Sequence, residues 1–309
     1  APRGYLAALG GPRFSHDARL HLAAHIACPS NPLTARVMVN RIWQRHFGKG
    51  IVATSSDFGS RGRPPTHPEL LDALARRLID SGWSIKAMHR EIMLSAAYRM
   101  SSTRHEPFAA IDPDNELLWH FSRRRLTAEE IRDTMLAVSG ELDLERPGRH
   151  PFPPEWEWRY TQHAAFTAVY ESTHRSVYVM QQRLRKHPFF ALFDGADTNA
   201  STAERLGDTT PLQALYFMND PFVFDRAGKM GERLASAAGN DLERIHAAFE
   251  LLFSRPPAPD ELVTCVDYLR RYEEQLVGAT TQPADLRSRS ALASLARVLM
   301  SSNEFIFID

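Results

Sequence analysis

Asn31–Trp83 reads NPLTARVMVNRIWQRHFGKGIVATSSDFGSRGRPPTHPELLDALARRLIDSGW, and its first third decides the fold. Asn31 to Gly48 is predicted to be one helix with both ends marked. The Asn31 side chain can accept a first-turn N–H, Pro32 suits a position that needs no donor, and Gly48 can end the helix in a left-handed conformation. At 100° per residue, Leu33, Val37, Trp43 and Phe47 fall on one side, with Ala35, Val39 and Ile42 largely on the other. A helix apolar nearly all round is buried on most sides, so other helices must pack around it. Arg36 and Asn40 nevertheless sit one turn apart on the Leu33/Phe47 face, while Arg41 and Arg45 share a separate strip. A buried Arg requires a paired carboxylate and a buried Asn requires hydrogen bonds. Arg36 is therefore expected to be partly buried against Asp57, with Asp133 the second choice. Arg36 and Asn40 either pin the helix to neighbouring loops or line a polar pocket.

The loop that follows combines Gly48, Gly50, Gly59 and Gly62 with Pro64 and Pro65, and carries Asp57, Arg61, Arg63 and His67. A loop this long is either functional or held by specific contacts. Thr66 with Glu69 has the spacing of a capping box that opens the next helix, whose stripe is Leu70, Leu71, Leu74, Leu78 and Ile79.

Outward from this stretch the helical signals continue. Phe14–Ala27 reads as a helix capped by Ser15, and Ser84 caps another that buries Ile85, Met88, Ile92 and Met93. Asp112–Phe121 reads as a short helix. Thr127 and Glu130 form a second capping box, and the stripe Ile131, Met135, Val138 ends at Ser139-Gly140. Glu145–Thr173 breaks the pattern with five residues of Pro or Gly before Trp156, Trp158 and Tyr160. Arg175–Val179 alternates like a short strand. Thr210, Pro211 and Gln213 open a helix, Phe222–Ala235 resumes it, and Asp241–Phe253, Asp260–Leu276 and Ala284–Met300 supply three more. The expected architecture is mainly α: one domain over 1–309, with helical lobes at 1–144 and 201–309 divided by an irregular aromatic segment at 145–200, and at most a small β element.

Thirty-seven basic residues balance thirty-seven acidic ones. No global field argues for nucleic acid or an anionic membrane, and the basic runs Arg123–Arg125 and Arg183–Lys186 read as solvated helix faces. Cys28 and Cys265 are expected to be separate thiols. No stretch has the apolar length of a membrane span. The chain lacks Cys-x-x-Cys-His, zinc-ligand spacings, a Gly-x-Ser-x-Gly elbow, a phosphate-cradling loop and His-Glu-x-x-His.

Weaker constellations remain. His46, Asp57 and His67 surround the Gly-rich loop and are weak candidates for metal ligation, or for acid and base work, at a spacing that matches no ligand motif. Asp57, Glu130, Asp133, Asp194 and Asp197 form a pool from which two facing carboxylates could hydrolyse a glycosidic bond. An acidic first turn explains Glu129 and Glu130 through the helix dipole, but explains Asp133 less well. Trp156, Trp158 and Tyr160 offer faces that suit sugar rings or ordinary core packing.

The Asn31–Ala75 run closely resembles the opening of a domain of unknown function of the PSD-one type, known chiefly from planctomycetes. RRLTAEEIRDTMLAVSGELD (Arg124–Asp143), HRSVYV (His174–Val179), LFDGAD (Leu192–Asp197), PLQALYFMNDP (Pro211–Pro221) and SSNEF (Ser301–Phe305) follow in the family's order. The resemblance implies the C-terminal domain of a longer exported protein, periplasmic or at the cell surface, preceded by other domains and often by a cytochrome c-like one. It also implies a sulfatase- or phosphatase-like gene neighbour, and haem held only in a separate domain, with no cofactor in this chain.

Three functions follow as expectations. The first is a non-catalytic module binding a glycan or protein partner through Arg36, Asn40, Arg41, Trp156, Trp158, Tyr160 and Arg175. The second is a hydrolase acting on a polysaccharide or its ester substituents, with Asp57 and His67 facing Glu130 or Asp133. The third is a scaffold that docks the cytochrome c-like domain.

Overall fold

A computed structural model describes residues 18–148, 169–183, 185–205, 207–237, 239–281 and 283–308. The protein is mainly α-helical, and its single sheet among the described residues is a two-residue pairing of β1 (Arg124–Arg125) with β2 (Phe307–Ile308). No helix among the described residues is long and apolar enough to cross a membrane. The chain divides into two compact units, Ala1–Arg124 with Thr202–Glu204, and Arg125–Ser201 with Arg205–Ile308. Ser15 and the aromatic trio Trp156, Trp158 and Tyr160 lie outside the described residues.

The first unit contains α1 (Ala18–Ile26), α2 (Thr34–Phe47), α3 (Pro68–Asp80), α4 (Ile85–Leu94) and α5 (Glu106–Ile111). Helix α2 packs against both α3 and α4. It buries Ala35, Val39, Ile42, Trp43 and Phe47 against Leu71, Leu74, Leu78, Met88 and Ile92. Each large side chain so buried contributes about 1.5–3 kcal/mol. Trp43 stacks on Phe47 at 4.2 Å between ring centres, and Tyr98 and Phe121 extend the aromatic layer.

Three local expectations are corrected here. Helix α2 starts at Thr34, because Asn31 accepts the Leu33 N–H at 3.0 Å in a turn that precedes the helix. Thr66 does not cap α3: its N–H and its hydroxyl both donate to the Ile51 carbonyl, at 2.9 and 3.3 Å. Asp112–Phe121 is a folded turn rather than a helix. The Asp112 carboxylate takes the N–H groups of Glu116 and Leu117, and the Asn115 carboxamide takes that of Trp119, so side chains satisfy what a helix would pair.

The second unit contains α6 (Ala128–Ser139), α7 (Pro188–Leu192), α8 (Pro211–Asn219), α9 (Pro221–Ala237), α10 (Asp241–Phe253), α11 (Pro259–Ala279), α12 (Ala284–Met300) and α13 (Asn303–Ile306). Helices α9 and α12 share the most extensive contact among the described helices. Gly231 permits the approach, since a Cβ there would stand 2.8 Å from the Ala293 nitrogen. Val223, Met230 and Leu234 of α9 meet Ile131 and Met135 of α6, Ala296 and Met300 of α12, and the rings of Phe189, Phe190, Phe193 and Phe217. A satellite cluster joins Ile245, Phe249, Cys265, Leu269, Leu292 and Leu295. Cys28 and Cys265 are free thiols.

Candidate functional site

The Asn31–His67 region is closed rather than open. Asn40 is fully buried, donating through Nδ2 to the Val52 carbonyl at 2.9 Å and accepting the Val52 N–H at 2.8 Å. That exchange imitates a strand pairing and clips the Gly-rich loop to α2. Gly50 passes so close that a Cβ would stand 2.7 Å from Asn40 Nδ2. Arg36 is not buried against Asp57. It is half-exposed, donating from Nε to Asp72 on α3 at 2.5 Å and from Nη1 to the Pro32 carbonyl. The facing helix supplies a carboxylate within easy reach, while the loop folds the other way. Asp57 is exposed and accepts the Gly59 N–H at 2.9 Å.

The candidates around this loop do not converge. His46 pairs through Nε2 with His89 Nδ1 at 2.7 Å, and burial, His89 and Arg124 hold it below the usual histidine range. His67 contacts its neighbour Thr66. No group of three metal-ligating side chains gathers among the described residues. Arg41 is exposed. The cleft beside Trp43, Ile51 and His67 encloses only about 40 Å³.

The second unit contains a larger cavity, about 750 Å³, built over the start of α9. Arg132 of α6 forms its floor. Only 6% exposed, it donates from Nη1 to the His174 carbonyl at 3.1 Å and to Ser176 Oγ at 3.2 Å, and from Nη2 to the Ser172 carbonyl. Asp133 accepts the Ser176 N–H at 2.7 Å and its hydroxyl at 2.6 Å. Two adjacent residues of one helix thus hold the wall at 172–176. This also explains why Arg175–Val179 is not a strand: the preceding His174 makes one bridge with Asp143, and Ser176–Tyr178 forms a 3-10 turn. Arg175 is exposed just before that turn. Glu130 completes the expected capping box, its carboxylate 2.7 Å from the Thr127 N–H.

The other walls come from α7, α8 and α9. His187 precedes α7, and burial, with the Arg132 charge adding to it, holds its imidazole below the usual range against an opposing Glu171. The Tyr216 hydroxyl donates to Asp220, and burial together with that carboxylate holds the phenol protonated far above its ordinary value. Asp220 also accepts the Phe222 N–H at 2.9 Å, capping α9. Arg226 forms an ion pair with Glu141 and lies over the Phe222 ring at 5.2 Å. Glu171 and Asp225 are exposed at the rim. The cavity therefore offers rings, acceptor carboxylates, fixed guanidinium groups and an uncharged imidazole.

Of the residues singled out from sequence, Asp133 supports this cavity, while Asp57, His67 and Glu130 serve local structure. His187, Tyr216, Asp220, Asp225 and Arg226 were missed. A signal existed: Arg132 lies within RRLTAEEIRDTMLAVSGELD, and Tyr216, Asp220 and Pro221 lie within PLQALYFMNDP. Both resembling segments end at one cavity.

A family model described as PSD1, protein of unknown function (DUF1553), matches residues 18–269. No curated protein and no solved structure matches the chain.

Proposed function

The chain belongs to the PSD1 family of proteins of unknown function, and from that premise we propose that it is a non-catalytic binding module of a larger exported, cell-envelope protein, with the cavity over α9 as its glycan site. The observation that carries this reading is the makeup of that cavity. The aromatic side chains of Tyr170 and Tyr216 line it together with the rim carboxylates Glu171 and Asp225. Rings stack on the apolar faces of sugars, and carboxylates accept from their hydroxyls. A cavity of about 750 Å³ is large enough for two or three sugar units.

Affinity electrophoresis of the purified chain through gels containing neutral or acidic polysaccharides tests the proposal. Wild type is expected to be retarded by at least one polymer. The double variant Glu171→Gln/Asp225→Asn, which alters only exposed rim groups, is expected to lose retardation by a neutral polymer, with each protein's mobility taken relative to its own in a polymer-free gel. Unretarded migration of wild type in every gel would remove the glycan reading.

Two observations favour other readings. Tyr216, held protonated, and His187, held below the usual histidine range, line one cavity, and a proton donor and acceptor there suit hydrolysis of a polysaccharide or its ester substituents. Release of reducing ends or acid from a retarding polymer would favour this enzyme over a binding module. Leu20, Leu22 and Ile26 are exposed on α1, which suits docking of a cytochrome c-like domain. Co-elution with such a domain, lost in a Leu20→Ser/Ile26→Ser variant, would favour the scaffold.

A further inference from the structure

Two polar atoms that line the cavity are buried. His187 Nδ1 and Arg226 Nε are both without a hydrogen-bond partner among the described residues, and both side chains line the same space. Buried polar groups are nearly always satisfied. Two left over in one cavity mark where a ligand completes the bonding.

Neither atom is free to turn away. Arg226 is anchored by its ion pair with Glu141 and by the Phe222 ring beneath its guanidinium, which fixes the orientation of its Nε edge. The His187 ring packs on Phe190 at 4.9 Å between centres. The remaining polar groups are already engaged or lie at the rim. Arg132 is spent on the 172–176 wall, and Asp220 on α9 and the Tyr216 hydroxyl. Glu171 and Asp225 are exposed. Arg226 Nε is a donor, and His187 Nδ1 is one in the tautomer that carries its proton there, so an acceptor is what these two groups lack, and a guanidinium N–H calls for a charged one.

We infer that the glycan taken up here is acidic, and that its anionic oxygens, from a uronate carboxylate or a sulfate ester, are received by His187 Nδ1 and Arg226 Nε. The inference rests on the glycan reading above. It carries a consequence for protons. The charged groups that face His187 are Arg132 on α6, Glu171 on the wall, Asp220 at the end of α8, and Asp225 and Arg226 on α9. Burial, with Arg132 adding to it, holds the imidazole below the usual histidine range against Glu171. An anion placed against it favours the imidazolium, so binding takes up a proton.

The test is isothermal titration of the whole chain with an oligogalacturonate, a sulfated dextran oligosaccharide and an unmodified dextran oligosaccharide, at about pH 7.5 and about pH 5.5. An acidic sugar is expected to bind about tenfold or more tightly than the neutral one, with the gap widening at the lower pH. Heats in two buffers of different ionisation enthalpy are expected to report proton uptake. His187→Gln keeps a donor but cannot titrate, and is expected to abolish that uptake. Arg226→Lys keeps a charge opposite Glu141 but lacks Nε, and is expected to lose about tenfold for the acidic sugar alone. The pH dependence and proton uptake of the wild type carry the test even if a variant fails to fold. Preference for uronate or for sulfate identifies the group received. Neutral sugar bound as tightly as acidic, or acidic sugar bound without proton uptake, overturns the inference and leaves the glycan reading intact. Binding of none of the three overturns both.

Discussion

Asn40 in the first unit and Arg132 in the second are both buried polar residues on a helix, and each grips a returning segment of chain. Asn40 meets one residue, Val52, and exchanges both backbone bonds with it, so the loop closes down and leaves almost no space. Arg132 reaches three acceptors at 172, 174 and 176 with a longer and wider side chain, and so holds its segment at a distance from α6. The space enclosed is about 750 Å³ in one case and about 40 Å³ in the other. A short carboxamide closes a loop, whereas a forked guanidinium can stand a wall off. Two residues whose hydrogen bonds are not yet met, His187 and Arg226, line the space that Arg132 holds open.

The hardest test of the comparison is to remove the two grips. Arg132→Ala leaves three acceptors without their donor and undermines the wall, so it is expected to cost about 3–5 kcal/mol, near the top of what single substitutions do. Denaturant unfolding measures it, and a cost under about 1 kcal/mol would mean that the wall does not depend on Arg132. Asn40→Ala strands two buried backbone groups of Val52, at about 1–3 kcal/mol each. Gly50→Ala is expected to be comparably harmful, because its new methyl would collide with Asn40 Nδ2 and the Val52 carbonyl. In the double variant Asn40→Ala/Gly50→Ala the two losses should fall short of their sum, since both act on one contact. Additive losses would separate Gly50 from Asn40.

How much of this could be read from sequence follows from range. Helices defined by local periodicity and by caps emerge nearly as expected: Asp241–Phe253 and Ala284–Met300 match at both ends, and the Thr127–Glu130 capping box is present. Asp112–Phe121 and Arg175–Val179 depart from expectation because Asp112, Asn115 and Asp133 bind backbone that propensity assigns to a helix or a strand. The cavity was illegible for a different reason. It joins residues of α6 to His187 and to α8 and α9, more than fifty positions further along, and no spacing rule spans that distance. The pairing of Arg36 failed similarly. Asp57 is nearer in sequence, but Asp72 is the carboxylate that the α2–α3 packing brings alongside.

Acid sharpens the comparison through two windows, each set by its own groups. In the first, His46 lies below its ordinary value of 6.5 in the folded state, so the unfolded chain takes up the proton first. Its contribution is complete above about pH 6.5 and is lost as pH falls below that. In the second, Arg255 grips Glu261 at 2.7 and 2.8 Å and Glu304 at 2.6 and 2.7 Å, and holds Glu261 down to about 2 from the usual 4.5. That contribution is complete above pH 4.5 and fades between 4.5 and about 2. Melting followed from about pH 8 to about pH 3 is therefore expected to decline in two stages. His187 is depressed in the same way as His46, so His46→Gln/His187→Gln should flatten the first stage, and Glu261→Gln should weaken the second, which Asp72 shares. Flattening of both stages by one variant would contradict the assignment.

The smallest expected effect concerns Arg36, the residue that sequence makes most conspicuous. Its side chain is 36% exposed and that of its partner Asp72 is 41% exposed. Water competes for both groups, salt screens them, and the long arginine loses rotamer freedom in the pair. Arg36→Ala and Asp72→Ala are each expected to cost less than about 1 kcal/mol, with a coupling of about 0.2–1 kcal/mol in the double-mutant cycle. The coupling should shrink as salt is raised from about 0.05 M to about 1 M, because the Debye length falls to about 3 Å. Asp57→Ala removes only a turn contact to Gly59 and is expected to stay within about 0.5 kcal/mol, without coupling to Arg36. A loss of about 3 kcal/mol or more in both Arg36→Ala and Asp57→Ala, with strong coupling between them, would put Arg36 in a buried network with the loop. The first unit would then also be organised around a buried arginine, and the contrast with Arg132 would fail at its root. Near-silence at Arg36 beside a large loss at Arg132 is the result that keeps the two units distinct.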